Sequence, residues 1–219
     1  MNGANAPHQG QRMLRAGAPL QRAKAAMILL HGRGASADSM LSLAEVFAQP
    51  EFTYLAPQAA RSTWYPYSFL APLADNEPWL SSALQVIADA LRTLAEEGLP
   101  AERVALLGFS QGGCLMLEFV ARHARRYGAV AGLSAGLIGP EGTPRNYAGS
   151  LAGTPVFLGC SDIDPHIPLA RVRESTQVFG QLGADVKETI YPGMGHTIND
   201  DEITRVRGLM ARLVQEAQP

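Results

Sequence analysis

The chain has 219 residues, 47% of them hydrophobic and 17% charged, with a net charge of −2 at pH 7. That size and composition fit one globular domain with a sizeable core, and the near-neutral balance gives no basic footprint for nucleic acid or an anionic membrane surface. No stretch of about 18 apolar residues could cross a bilayer, and "MNGANAPHQGQRM" lacks the apolar region of a secretory signal. A soluble cytoplasmic protein is therefore expected, organised as a single domain over 1–219 with about the first 12 residues flexible, because they are polar and contain Gly and Pro. Cys114 and Cys160 lie in apolar segments without C-x-x-C or Cys/His ligand spacing, so they read as buried free thiols and no metal is expected.

Along the chain, short apolar runs alternate with amphipathic segments of helical length, the pattern of βαβ units around a mostly parallel sheet. "AAMILLH" (25–31) reads as a central strand. Residues 36–48 read as a helix capped by Ser36, with Leu41, Ala44, Val46 and Phe47 on one face. "FTYLAP" (52–57) is the next strand. Residues 58–77 carry no period but hold Trp64, Tyr65, Tyr67 and Phe69, which predicts a packed loop forming a pocket wall or partial lid. The longest helix is expected over 78–98, with Leu80, Leu84, Ile87, Leu91 and Leu94 facing inward and Gly98 as its stop. Strands follow at 103–109, 129–135, 155–160 and 185–192, and helices at 111–126, 168–182 and 200–217.

Ser110 falls in "LLGFSQGGCL", at the turn between the strand 103–109 and the helix that follows. With 22 glycines in the chain, a Gly-x-Ser-x-Gly pattern would arise from composition alone in roughly one chain in ten, so the motif by itself decides little. Helix capping is the bland alternative for this serine. Context raises the sharper reading. A serine hydroxyl becomes a nucleophile when a base lies within hydrogen-bond reach and a third group orients that base. On an α/β-hydrolase layout the acid and the histidine follow the serine in chain order, each after its own strand. "SDIDPHIP" (161–168) supplies Asp162 and Asp164, and "PGMGHTIND" supplies His196, with Gly193 and Gly195 letting the backbone turn toward Ser110. "LLHGRGAS" (29–36), directly after the first central strand, supplies a backbone N–H at Arg33. Together with the N–H of Gln111 it is expected to form an oxyanion hole, each donor worth about 3 kcal/mol in a transition state. Only the backbone of Gln111 is used in this scheme, so Gln111→Ala is expected to have a small effect. Met194 is expected to border the site through His196.

These four motifs, in this order over residues 20–217, resemble the phospholipase/carboxylesterase and acyl-protein thioesterase group of α/β hydrolases. The resemblance implies an α/β-hydrolase fold with a mostly parallel central sheet and no large cap domain. The family's acid loop reads His-Gly-x-x-Asp-x-x-Val-Pro; aligned to it, Asp164 takes the catalytic place, Ile167-Pro168 stands for Val-Pro, and Cys160-Ser161 replaces His-Gly. "STWYPY" is similar to the family's Trp-Phe loop, which implies that Trp64 lines the acyl pocket, with Tyr65 and Phe69 beside it. Many relatives carry an apolar residue where Arg33 stands, and its side chain is expected either to favour acidic or polar groups or to join a surface salt bridge. A homodimer is a further expectation from the likeness.

The remaining polar residues have bland readings. His31 is expected to be a buried hydrogen-bonding residue that shapes its turn, His123 part of a solvated basic face at a helix end, and His166 with the two aspartates a solvated loop rather than a metal site. The expected activity is hydrolysis of small or short-chain carboxylic esters through a Ser110-Asp164-His196 triad and an acyl-enzyme, without a cofactor. Acyl-protein thioesterase or lysophospholipase activity is the alternative. A non-catalytic scaffold that binds a ligand or partner is the rival from another class.

Overall fold

The computed structural model describes residues 6–216. In chain order its regular elements are β1 (Met13–Gly17), β2 (Ala25–Leu30), α1 (Ala37–Phe47), β3 (Phe52–Pro57), α2 (Trp79–Glu96), β4 (Val104–Phe109), α3 (Ser110–Arg122), β5 (Ala129–Leu133), β6 (Pro155–Ser161), α4 (Leu169–Gln181), β7 (Asp185–Tyr191) and α5 (Asp200–Glu216). The strands form a seven-stranded sheet in the order β1-β3-β2-β4-β5-β6-β7. All neighbours pair in parallel except β1, which lies antiparallel to β3 from Met13 opposite Pro57 to Gly17 opposite Thr53.

The central strands are continuous apolar runs because both faces of a parallel sheet are covered. Alternate residues of β2 go to opposite sides: Ala26, Ile28 and Leu30 meet the layer of α2, α3 and α4, while Ala25, Met27 and Leu29 meet that of α1 and α5. Helix α2 buries Leu80, Leu84, Ile87, Leu91 and Leu94, the stripe read from its spacing. Burial of each such leucine is worth about 2 kcal/mol relative to exposure. Ser36 caps α1, its Oγ accepting from Ser39 N–H at 3.2 Å.

Three local expectations change. Strand β1 has no apolar run to announce it; as an edge strand carrying Arg15 it alternates half-buried and exposed residues. In α1 the inward face is Ala37, Met40 and Phe47, and Val46 is 42% exposed, because it is rotated off the stripe that Met40 and Phe47 define. The expected flexible start, residues 1–12, lies outside the described residues for 1–5; in residues 6–12, His8 is docked while Gln9, Gly10, Gln11 and Arg12 are exposed. His8 is 2% exposed, its Nε2–H donates to the Trp64 carbonyl at 2.8 Å, and its Nδ1 accepts from Ala60 N–H at 3.1 Å. Burial lowers the pKa of this imidazole, consistent with the neutral tautomer that these two bonds require.

Candidate active site

Ser110 is the first residue of α3 and has φ +54°, a left-handed conformation that a serine adopts only where the surroundings impose it. The glycines around it permit the turn. A Cβ on Gly108 would lie 2.6 Å from the Gly112 carbonyl, and one on Gly112 would lie 2.5 Å from the Leu30 and His31 carbonyls. The start of α3 can therefore press directly on β4 and on the end of β2, with Ser110 projecting at the strand ends. No side-chain bond caps α3, so the capping reading of Ser110 is set aside: its hydroxyl has another partner.

That partner is His196. Ser110 Oγ–H donates to His196 Nε2 at 2.9 Å, and His196 Nδ1–H donates to Asp164 Oδ2 at 2.8 Å. The donor on one ring nitrogen and the acceptor on the other assign the Nδ1–H tautomer. The Asp164 side chain is 0% exposed. Burial works against its charged form, but bonds from His196 and from the N–H groups of His166 (2.8 Å) and Ile167 (3.0 Å) outweigh that, and its pKa is lowered. Asp162 does something else: its Oδ1 accepts from Gly193 N–H at 2.8 Å and so holds the loop that carries His196. Ser161 Oγ holds the same loop by accepting from Gly195 N–H at 3.1 Å. Of the two aspartates, Asp164 faces the imidazole and Asp162 faces the Gly193 N–H.

The loop after β2 is built around His31, which is fully buried. Its Nδ1–H donates to the Gly32 carbonyl at 2.8 Å, and its Nε2 accepts from Ala59 N–H at 3.1 Å. Burial lowers its pKa, in keeping with a neutral structural imidazole. No hydrogen bond among the described residues engages the backbone N–H of Arg33 or of Gln111. Two N–H groups left open beside a serine hydroxyl can receive a developing oxyanion, helped by the positive end of α3.

The side chains of these two residues carry a role that the sequence reading lacked. Gln111 is 6% exposed; its Oε1 accepts from Trp64 N–H at 3.0 Å and its Nε2 donates to the Tyr65 carbonyl at 2.8 Å. This corrects the expectation that only its backbone matters. The Arg33 guanidinium donates to the carbonyls of Tyr65 (2.9 Å), Pro66 (2.9 Å) and Tyr67 (2.6 Å). Among the described residues it joins no salt bridge; the loop curls its carbonyl oxygens around it. The aromatic loop is therefore fastened at both ends of the expected oxyanion hole.

A cleft of about 560 Å³ opens over Ser110 and His196, walled by Tyr65, Phe69, Phe109, Cys114, His166 and Ile167, with Arg33 at its rim. Trp64 and Met194 lie outside its walls. Trp64 is 0% exposed and its Nε1–H donates to the His31 carbonyl at 2.8 Å, so it supports the loop from below. Met194 Sδ instead accepts from Asn199 Nδ2 at the start of α5. His166 is exposed, as read, and one edge of its ring packs against His196 with centroids 4.7 Å apart. The Asp164 carboxylate that accepts its N–H fixes the turn that puts it there, a signal present in "DPH" only once the turn is known. Cys114 is buried on the cleft floor, and burial pushes its thiol up to about 12, which leaves it an unreactive wall. His123 is exposed at the end of α3 as read, but desolvation and the neighbouring Arg125 and Arg122 lower its pKa. No cluster of three or more His, Cys, Asp or Glu able to hold a metal occurs among the described residues.

A mostly parallel sheet with helices on both faces, and a serine on a sharp strand-to-helix turn at the strand ends, defines an α/β hydrolase. The sequence model of the phospholipase/carboxylesterase family matches residues 14–213, and the chain belongs to that family. A crystal structure of a phospholipase/carboxylesterase from Dyadobacter fermentans DSM 18053 superposes with a TM-score of 0.89 at 42% identity, covering 92% of this chain and 97% of that one. The structure of esterase PE8 superposes at 0.75 with 25% identity over 93% and 98% of the two chains. Acyl-protein thioesterase 1 of Candida albicans is 26% identical over 89% of this chain and 94% of its own length. The match to acyl-protein thioesterase 1 of Gibberella zeae, 30% identical, spans 53% of this chain and about half (51%) of that protein. No helix among the described residues is long and apolar enough to cross a membrane.

Proposed function

We propose that the protein is a serine hydrolase that transfers the acyl group of a carboxylic ester or thioester to water. The observation that carries the proposal is the continuous line Ser110 Oγ, His196, Asp164, with links of 2.9 and 2.8 Å. In this reading His196 Nε2 takes the Ser110 proton as Oγ attacks the carbonyl carbon. Asp164 keeps Nδ1 protonated and stabilises the imidazolium. The N–H groups of Arg33 and Gln111 receive the oxyanion, and His196 returns the proton to the departing alcohol or thiol. Water, deprotonated by His196, then releases the acid and restores Ser110. The steps draw on side chains, backbone and water alone.

Sequence reasoning put small esters first, while the names of the fungal relatives favour the thioesterase alternative. The proposal therefore places thioesters at least level with oxygen esters, with Tyr65 and Phe69 contacting the substrate and cytoplasmic small-molecule chemistry as the setting. A chain-length series of aryl esters, measured beside a palmitoyl thioester, separates the two. Turnover must vanish in Ser110→Ala; hydrolysis that persists in that variant contradicts the proposal.

A further inference from the structure

The walls of the cleft contain Arg33, His166 and His196 but neither Asp nor Glu. The one carboxylate of the triad, Asp164, is turned behind His196 with its side chain fully buried. In a chain with two more acidic than basic residues, such a surface is a local excess of positive character. Three features add to it. The N-terminus of α3 lies beneath Ser110 and contributes the positive end of its dipole. The Arg33 guanidinium is exposed at the rim, and among the described residues no carboxylate lies within 4.0 Å of it. Its position is fixed by the carbonyls of Tyr65, Pro66 and Tyr67.

Those bonds use both Nη2–H groups and one Nη1–H. Guanidinium has five N–H donors, so Nε–H and the second Nη1–H remain for a ligand. Three neutral carbonyls hold the cation in place without cancelling its charge, so little ordering cost remains when an anion arrives. We propose that the cleft accepts esters or thioesters bearing a carboxylate near the scissile bond, and that Arg33 binds that carboxylate through its charge and one of its free N–H groups. This rests on the hydrolase reading above. Binding at Arg33 also brings the substrate beside the backbone N–H of the same residue, where the oxyanion forms, so recognition and alignment come from one position.

Two substrate pairs test the proposal and locate the charge. 4-Nitrophenyl hemiglutarate against 4-nitrophenyl valerate carries it on the acyl side; 4-acetoxybenzoate against methyl 4-acetoxybenzoate carries it on the leaving group. The wild-type protein is expected to favour the anionic member of one pair by about tenfold in kcat/KM, in line with a charge-assisted hydrogen bond at a partly open site. The preference should weaken with added salt. Arg33→Gln should remove it, and Arg33→Lys, which keeps the charge without the three-carbonyl clamp, should retain only part of it. Equal losses for anionic and neutral substrates in Arg33→Gln would overturn the proposal and leave Arg33 as a loop clamp. So would the absence of any anionic preference in the wild type while neutral esters are turned over through Ser110. If neither pair is hydrolysed in a Ser110-dependent way, the hydrolase reading fails first and this inference with it.

Discussion

The side-chain amide of Gln111, the neighbour of Ser110, is a two-point staple on the aromatic loop, giving an N–H to the Tyr65 carbonyl at 2.8 Å and accepting from the Trp64 N–H at 3.0 Å. The residue whose backbone N–H is proposed to receive the oxyanion thus also sets the cleft wall with its side chain. Gln111→Met keeps the length of the side chain and removes both bonds, leaving the buried Trp64 N–H unpaired at about 1–3 kcal/mol, while the Tyr65 carbonyl keeps only its bond from Arg33. We expect kcat to fall by about ten- to a hundredfold as the wall and the N–H of residue 111 shift, with the circular dichroism of the folded protein retained. Unchanged kinetics would show that the staple is dispensable.

Asp162 and Asp164 hold different partners, the Gly193 N–H and the imidazole, and substitution should separate them. Asp164→Asn presents an amide to His196 and favours the wrong tautomer, for which a loss of about ten-thousandfold in kcat is expected. Asp162→Asn loosens only the loop and should cost about tenfold or less, since a neutral amide oxygen can still accept from Gly193. Steady-state kinetics of the two variants on one ester decides; equal losses would contradict the assignment.

Gly112 is a packing requirement. With a Cβ 2.5 Å from two carbonyl oxygens of β2 and its following loop, Gly112→Ala must push α3 off the sheet. Overpacking of this kind costs about 1–3 kcal/mol, and backbone cannot yield as a side-chain tip can. A fall of that size in urea stability, together with lost activity, is expected.

Glu202 makes stability depend on pH. It is fully buried, its Oε2 accepts from Asn199 N–H at 3.0 Å, and its Oε1 has no partner among the described residues. Burial, opposed by the Asn199 bond and reinforced by Asp201, pushes its carboxyl from 4.5 up to about 7. The folded value lies above the unfolded one, so the stability this group contributes is complete below about 4.5 and is lost as pH rises through about 7. The loss across that window is at most about 3 kcal/mol. Glu202→Gln, neutral throughout, should flatten this part of the profile. Parallel urea midpoints for wild type and variant at about pH 5 and about pH 8 would refute it.

The strands of the central sheet, and the strand ends after which Ser110, Asp164 and His196 fall, were legible because apolar runs, turn residues and motif order are properties of the chain itself. Strand β1 was not, since "MLRAG" is an edge segment whose partner, β3, lies some forty residues on. Trp64 and Tyr65 are adjacent in sequence and both fully buried, yet only Tyr65 reaches the cleft; Trp64 instead bonds the His31 carbonyl. Side-chain direction in an aperiodic loop is set by such distant partners. The Gln111 staple and the His166 edge contact arise in the same way, from groups that meet only after the loops between strands have closed.

The account rests on Ser110 being an activated nucleophile, and one measurement addresses that directly. The folded protein is incubated with a fluorophosphonate, and the intact mass and the modified peptide are determined. One adduct per chain on Ser110, absent in Ser110→Ala and greatly slowed in His196→Ala, is the predicted result. Folded protein that gains no mass, or gains it at another residue, would contradict the account.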